Sequence, residues 1–225
     1  MGQSWIDLLF AHWAVPLPAL RPAVPAGIPI DTFDGSAWIG ITPFEIVGAH
    51  PRIVPPLPWL SRFPELNVRT YTTIDGRPGI WFFSLDAARR AAVDAARLSY
   101  RLPYRHARMA ITRAGSRIEY RSSARSAPAT LRAAYEPAGP ASHPVAGTLE
   151  HFLTERYSLY TLDRRDRLRR ADIHHAPWPL QAARAALTEN TMTAPFGIDL
   201  PEQEPLLHYA ARQDVLIWPL VRHEP

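Results

Sequence analysis

Proline constrains the fold of this chain more than any other residue type. The 225 residues include 24 prolines, and a proline inside a helix removes a backbone hydrogen bond and clashes with the preceding turn. Few stretches are therefore long enough for helices, and most of the chain consists of short apolar runs bounded by turn residues. This pattern predicts a mainly β (α+β) protein of antiparallel strands with two or three short helices, arranged as a barrel or a sandwich. We expect residues 1–225 to form a single domain.

Three segments are predicted to be helical. Ser84 or Asp86 can cap a helix that runs to about Leu98, since alanines recur there at helical spacing. Thr148 can cap a short amphipathic helix that begins directly after this residue. Residues 181–187 are the third segment predicted to be helical. Residues 50–63, which are rich in proline and tryptophan, are predicted to form a loop.

Two residue types are missing, and each absence excludes a class of chemistry. The chain has no cysteine, which excludes disulfides, thiol catalysis and cysteine-ligated metals. All 25 basic residues are arginine, so no lysine is present to form a Schiff base or a P-loop contact. No nucleotide-binding glycine motif occurs. His174 and His175 are adjacent on a predicted strand and so point to opposite faces. We therefore expect neither a metal nor a cofactor.

The charge pattern argues against macromolecular partners. The net charge is +4, and the one dense basic run, residues 164–170, is typical of a polar turn between two strands with Asp166 at the bend. No recognised nucleic-acid motif accompanies it, and no apolar run reaches the roughly 20 residues that a spanning helix needs. We expect a cytoplasmic protein whose partner is a small molecule, without nucleic-acid or membrane binding. Homo-oligomerisation is left open.

One hairpin carries most of the functional information. Residues 65–73 alternate strictly, whereas residues 80–85 are apolar on both faces, so the sheet should be covered on both sides there. One face of the first strand is polar and consists of Glu65, Asn67, Arg69 and Tyr71. Buried ionisable groups must be paired or line a wet cavity, and Glu65 and Arg69 are about 13 Å apart along the strand, too far to pair directly. The row therefore indicates a pocket; a solvated strand face is the alternative.

The same hairpin carries a resemblance to a known family. Residues 63–71 (FPELNVRTY) and 75–86 (DGRPGIWFFSLD) resemble the YqjF-like family of uncharacterised bacterial proteins. Supporting segments run nearly end to end: residues 10–13 (FAHW), 102–104 (LPY), 152–160 (FLTERYSLY) and 175–180 (HAPWPL). The family is similar in fold to acetoacetate decarboxylase. The resemblance thus implies a cone-shaped antiparallel β-barrel around a small-molecule cavity.

The resemblance also implies where the site lies. The decarboxylases use a Schiff-base lysine in a Pro-Lys-Lys segment, and the matching segment here is Pro103-Tyr104-Arg105. Tyr104 stands at the position of the nucleophilic amine, and a phenol cannot form an imine, so amine-dependent decarboxylation should be absent. Glu65 matches the cavity-lining glutamate of the decarboxylases.

These residues define a candidate site. Glu65 and Tyr104 are the candidate catalytic residues, and the candidate substrate-binding residues are Asn67, Arg69, Tyr71 and Trp81. Arg69 can bind a carboxylate, Tyr104 can donate to a carbonyl oxygen, and Glu65 can act as acid or base if burial raises its pKa. Two functions fit: an enzyme acting on a small oxo- or carboxyl-bearing compound, or a non-catalytic protein that binds or senses a small ligand. A polar network that only stabilises the fold is the structural alternative.

Overall fold

The computed structural model describes residues 1–50 and 62–223. Most of the predicted proline-rich loop, residues 51–61, lies outside the described residues. The described chain is mainly β and has three α-helices, α1 (Leu17–Leu20), α2 (Arg90–Tyr100) and α3 (Leu149–Thr154). Its strands are β1 (Gly2–Val15), β2 (Thr32–Phe33), β3 (Ser36–His50), β4 (Phe63–Ile74), β5 (Arg77–Ala87), β6 (Tyr104–Ala114), β7 (Arg117–Ala124), β8 (Thr130–Pro137), β9 (Ser158–Leu162), β10 (Leu168–His174), β11 (Gln181–Asn190), β12 (Leu206–Ile217) and β13 (Val221–Arg222).

The strands belong to one sheet whose pairing closes on itself. Seven strands form a circuit in the order β10-β9-β5-β4-β3-β1-β12, and β12 pairs again with β10 at Ile173 and Ile217. A second circuit leaves β12 through β11, β8, β7 and β6 and returns to β5. The strands β5, β4, β3, β1 and β12 are common to both circuits.

The prediction of a purely antiparallel sheet is wrong, because β5 pairs in parallel with both β6 and β9. Parallel neighbours need a crossover connection, and α2 lies in the connection between β5 and β6. The sheet is therefore mixed.

Two helix predictions also need correction. Ser84 and Asp86 lie within β5, paired with Val68 and Leu66 of β4, and α2 begins only at Arg90. Residues 181–187 belong to β11, which pairs with β8, and their exposure alternates from residue to residue as in a strand. The third prediction is confirmed, since the Thr148 side chain accepts a hydrogen bond at the start of α3.

Apolar clusters cover both faces of the β4–β5 hairpin. Leu66 and Val68 of β4 pack on one face in a cluster with Ile39 and Ile41 of β3. On the other face lie two further clusters, one centred on Phe10 and Phe44 and one on Ile80, Phe82 and Leu85 with residues of β9, β10 and β12. The expectation that this hairpin is covered on both sides is confirmed.

The basic run forms the predicted turn, between β9 and β10. The Asp163 carboxylate accepts hydrogen bonds from the side chains of Arg167 and Arg169, so part of the positive charge is balanced locally. In the described part of the chain, no helix has both the length and the apolar character required to cross a membrane.

Gly79 of β5 lies where a side chain does not fit, which gives a first prediction. A Cβ at this position would lie 2.5 Å from Cε2 of Tyr160 and 2.8 Å from the carbonyl oxygen of Ser158. We expect Gly79→Ala to lower the free energy of unfolding by about 1–3 kcal/mol, because Tyr160 is held by its pairing with β5 and Ser158 by its pairing with β10. Gly27→Ala is the matched control, since its Cβ would meet nothing within 4 Å. Urea unfolding checks the difference, and equal stabilities of the two variants would contradict it.

Candidate functional site

Four candidate residues form a row on one face of β4, and all four are buried. Glu65, Asn67 and Arg69 are 3%, 6% and 5% exposed, and Tyr71 is fully buried. Directly opposite them on β5 stand the apolar residues Ala87, Leu85, Phe82 and Ile80. We call Glu65, Asn67, Arg69 and Tyr71 the polar row. It lies in surroundings that are otherwise apolar, and this geometry excludes the solvated strand face.

Glu65 and Tyr104 contact each other. The Tyr104 hydroxyl donates a hydrogen bond to Oε2 of Glu65 at 3.0 Å. Tyr104 begins β6 beside Leu85 of β5, and Leu85 stands opposite Asn67 of β4, so the phenol lies on the face of the polar row. The structure thus brings together two residues that are 39 positions apart in the sequence.

The surroundings change the acidity of both groups. Burial raises the pKa of Glu65 to about 8, with a smaller contribution from the negative charge of Asp86 and an opposing one from the Tyr104 hydrogen bond. Burial, followed by the charge of Glu65, also raises the pKa of Tyr104 well above its usual value. At neutral pH Glu65 is therefore mostly a neutral carboxylic acid and Tyr104 a neutral phenol.

Arg69 is a buried cation that forms no ion pair with any carboxylate of residues 1–50 and 62–223. Its guanidinium lies over the rings of Phe10, at 5.4 Å, and Tyr71, at 5.7 Å. Its Nη2 donates a hydrogen bond to the carbonyl oxygen of Leu153 at 3.5 Å, and its side chain also hydrogen-bonds to Tyr71. Among the residues that the structure describes, Nε of Arg69 and Oδ1 of Asn67 are buried without a hydrogen-bond partner, and no acidic group forms an ion pair with Arg69. An anion bound here would supply what the described residues do not.

Tyr71 forms a hydrogen bond with His12, which is not among the candidate site residues predicted from the sequence. The Tyr71 hydroxyl and Nε2 of His12 are 2.6 Å apart. Burial, with the nearby charge of Arg69, lowers the pKa of His12 well below its usual value, so this hydrogen bond joins a neutral imidazole to a phenol whose own pKa is raised by burial. Gly40 lies between the two on β3, where a Cβ would come within 3.0 Å of the His12 ring and 3.1 Å of the Tyr71 oxygen. A residue larger than glycine would disturb this bond.

Trp81 is the one candidate that the structure does not bring to the row. It stands opposite Thr70 on the other face of the hairpin and packs at the edge of the Leu66–Val68 cluster. Both faces of β5 are apolar, so the sequence pattern does not distinguish Trp81 from Phe82. Phe82 lies beside Arg69.

A buried ion pair, Asp86 with Arg105, lies on the opposite side of the sheet. Asp86 is fully buried, and Nε of Arg105 donates to its Oδ1 at 2.6 Å. Since Tyr104 and Arg105 are consecutive in β6, they project to opposite faces. Tyr104 meets Glu65, and Arg105 meets Asp86. The apolar character of residues 80–85 on both faces is the one sequence signal that Asp86 would be buried.

A pocket of about 370 Å³ lies near the polar row but is separated from it. It is lined in part by Asp31, Thr73, Phe152 and Arg156. Arg156 pairs with Asp31 at 2.6 Å. The ring of Phe152 lies 5.5 Å from the ring of Tyr71, so this residue of α3 stands between the pocket and the row.

The structure describes no site for a metal. Within residues 1–50 and 62–223, no group of three or more His, Asp or Glu side chains could hold a metal ion. His174 is exposed and His175 is buried, as the alternation of a strand requires.

The chain is similar to proteins of known sequence and structure. A curated relative, "Uncharacterized protein YqjF" of Bacillus subtilis (strain 168), is 48% identical over 221 residues, which cover 98% of this chain and 91% of the relative. Among solved structures, the enduracididine biosynthesis enzyme MppR, complexed with the condensation product of pyruvate and imidazole 4-carboxaldehyde, matches with a TM-score of 0.68 at 14% identity, covering 99% of this chain and 89% of the other. An acetoacetate decarboxylase-like enzyme from Sphingomonas wittichii RW1 matches with a TM-score of 0.65 at 15% identity, covering 99% and 92%.

The two structural matches establish a fold like that of acetoacetate decarboxylase, in agreement with the resemblance found in the sequence. The relationship by sequence is much closer. The model of one family, described as DUF2071, uncharacterised conserved protein, matches residues 2–214. The chain belongs to the DUF2071 family.

Proposed function

We propose that the protein binds a small oxo- or carboxyl-bearing compound beside the polar row and moves a proton on it without forming an imine. One observation carries the proposal. Arg69 is a buried cation without a carboxylate partner among the described residues, on the same strand face as a carboxyl group whose pKa is raised to about 8. Perturbed ionisable groups beside an unbalanced charge are typical of functional sites.

We also infer that the seven-strand circuit is the cone-shaped barrel of acetoacetate decarboxylase-like proteins and that the polar row faces its interior. The cluster of Ile80, Phe82 and Leu85 supports this, because it also contains residues of β9, β10 and β12 from around the circuit. Strands that pair in a ring and share a cluster enclose it.

The proposed chemistry is enolisation. Arg69 holds the carboxylate of the compound. The ionised form of Glu65 removes a proton from the carbon next to the carbonyl group, the electron pair moves to the carbonyl oxygen, and the Tyr104 hydroxyl stabilises that oxygen by a hydrogen bond. The protonated Glu65 exchanges its proton with water and then returns one to the carbon, which completes the exchange. Lysine is not needed at any step, in keeping with its absence from the sequence.

The neighbours support a carbonyl ligand. MppR has been solved with pyruvate, and other neighbours are acetoacetate decarboxylases or decarboxylase-like enzymes. MppR and the decarboxylases are at most 15% identical to this chain, and a carbonyl ligand for this chain is part of the present proposal.

Deuterium exchange tests the proposal. In D₂O, ¹H NMR should show loss of the α-proton signals of 2-oxo or 4-oxo acids faster with the protein than in buffer alone. Calorimetric titration of the same acids should show binding. Binding without exchange would favour the alternative function, a protein that binds or senses a small ligand. No binding of any oxo acid would contradict the proposal.

Replacement of Arg69 should separate binding from stability. We expect Arg69→Met to weaken the binding of oxo acids by roughly 10–100-fold, because a charge-assisted contact is lost. Stability should stay the same or rise, because the change removes a buried charge that lacks a counter-ion. Arg156→Met is the matched control. Arg156 is also buried but is paired with Asp31, and its loss should cost about 3 kcal/mol in urea unfolding. A large loss of stability in Arg69→Met would indicate a structural role.

A further inference from the structure

Aromatic rings line the region next to Glu65. Phe44 of β3 stands directly opposite Glu65. The ring of Trp5, on β1, lies 5.5 Å from that of Phe44, and Trp178 stacks on Trp5 with a centroid distance of 5.9 Å and an angle of 19° between the planes.

Further rings connect Trp178 to Arg69 of the polar row. Phe10 of β1 meets Trp178 edge to face at 4.9 Å. The Arg69 guanidinium lies 5.4 Å from the centre of the Phe10 ring. We call Trp5, Phe10, Phe44 and Trp178 the aromatic wall. It starts at the proposed acid–base group and ends at the proposed anion-binding group.

Trp5 and Tyr104 connect the two apolar clusters on this face. Each packs against the cluster of Phe10 and Phe44 and also against the cluster of Ile80, Phe82 and Leu85. Both nevertheless remain partly exposed, although Tyr104 bonds to the buried Glu65. Solvent therefore reaches this face of the sheet where the two clusters meet.

The aromatic wall also carries hydrogen-bond donors that have no acceptor. Within the described residues, the indole Nε1 atoms of Trp5 and Trp178 are both buried without a partner. Buried indole N–H groups usually find one. A compound with oxygen acceptors bound beside the wall would satisfy both donors.

We propose that the compound taken by this site carries an aryl group, which lies against the aromatic wall while its carboxylate lies at Arg69 and its carbonyl group at Glu65 and Tyr104. The inference rests on the proposed function and names its substrate class, an aromatic oxo acid. A flat ring suits the wall because it offers π-faces and edges to neighbours that already pack by stacked and edge-to-face contacts. The oxygens of the compound accept from the indole N–H groups.

Calorimetric titration with matched ligands tests the aryl group. The probes are phenylpyruvate against pyruvate, and 4-oxo-4-phenylbutanoate against 4-oxopentanoate, with 4-cyclohexyl-4-oxobutanoate as an apolar ligand that is not aromatic. In the unaltered protein, each phenyl compound should bind at least about tenfold more tightly than its methyl partner, and the cyclohexyl compound should bind more weakly than the phenyl one.

Two variants connect the preference to the wall. In Trp5→Leu the phenyl preference should fall to about twofold or less. Trp13→Leu is the matched control, because Trp13 is a buried tryptophan of the same strand that packs in the Leu66–Val68 cluster on the other face, and it should keep the preference. Circular dichroism spectra confirm that both variants are folded at the titration temperature.

The outcomes separate this inference from the proposed function. Equal binding of phenyl and methyl compounds, with both weakened in Arg69→Met, would overturn the aryl inference and leave the proposed function standing. A cyclohexyl compound as tight as the phenyl one, or a preference that survives in Trp5→Leu, would also overturn it. If none of the acids binds the unaltered protein, both proposals are wrong.

Discussion

Glu65→Gln is expected to slow α-proton exchange by at least about 100-fold, because a positioned acid–base group contributes roughly 10²–10⁴ to the rate of proton transfer. Glutamine keeps the size of the side chain and can still accept the hydrogen bond of Tyr104, so oxo acid binding should change little. Exchange measured by ¹H NMR and binding measured by calorimetry give the two readings. Glu189→Gln, which alters an exposed carboxylate paired with Arg132, should leave both unchanged. Exchange that persists in Glu65→Gln would remove Glu65 from the mechanism.

The pH dependence of the exchange rate tests the role of Glu65 more specifically. The base is the ionised carboxylate, and a pKa of about 8 means that roughly one molecule in a hundred is ionised at pH 6. The exchange rate should therefore rise about tenfold per pH unit up to pH 8 and then level off. A carboxylate of ordinary pKa would instead give a flat profile above about pH 5.5.

The pH dependence of the stability of the fold should give independent evidence for the raised pKa of Glu65. Because the pKa of Glu65 is about 8 in the folded chain and its ordinary value is 4.5, the folded state holds a proton that the unfolded state releases between these values. Stability then falls as pH rises from about 4.5 to 8, by a few kcal/mol, and changes no further above that. Glu65→Gln removes this slope. Thermal unfolding of both proteins at a series of pH values isolates it, since contributions of buried histidines such as His12 cancel in the difference.

Arg105→Met is expected to destabilise the fold by about 3–5 kcal/mol, because it leaves the fully buried Asp86 carboxylate without its partner. Arg105 itself is 12% exposed, so solvent cannot replace its contact with Asp86. Arg132→Met, which breaks the exposed pair with Glu189, should cost less than about 1 kcal/mol. Urea unfolding compares the two, and equal losses would contradict a special role for the buried pair.

The double replacement Asp86→Asn with Arg105→Met should recover part of the loss, because the buried carboxyl group disappears together with its partner. Asp86→Asn also removes a negative charge that raises the pKa of Glu65. The rise in the exchange rate should therefore move to lower pH in Asp86→Asn, alone or combined with Arg105→Met. This shift distinguishes an electrostatic effect on Glu65 from a general loss of stability.

The sequence predicted the parts of the fold that depend on local pattern. The alternation in residues 65–73 and the Thr148 cap both depend on neighbours within a few positions. Residues 181–187 were mistaken for a helix because their alanines favour one locally. Pairing with β8, some 50 residues earlier in the chain, makes them a strand. The parallel pairing of β5 with β6 and β9 is also non-local, and no single segment of the sequence indicates it.

The candidate site was predictable to a similar degree. Burial of the polar row follows from the apolar second strand of the hairpin, and the position of Tyr104 came from the family resemblance. The bond between Tyr71 and His12, and the pair of Asp86 with Arg105, each join residues from different strands. Their partners cannot be found without the order of the strands. For Trp81, the sequence does not indicate the face on which the side chain lies, because both faces of β5 are apolar.

Asp86 lies on the face of the sheet opposite Glu65, so one layer of backbone separates the proposed acid–base group from a fully buried charge. A charge acts through such a thin layer with little screening by solvent. Under the proposed function, substitutions on that opposite face would change the pKa of Glu65 without changing the residues that contact the ligand. Relatives could differ in their working pH while they keep identical ligand contacts, and substitutions at 86 and 105 are where such differences would arise.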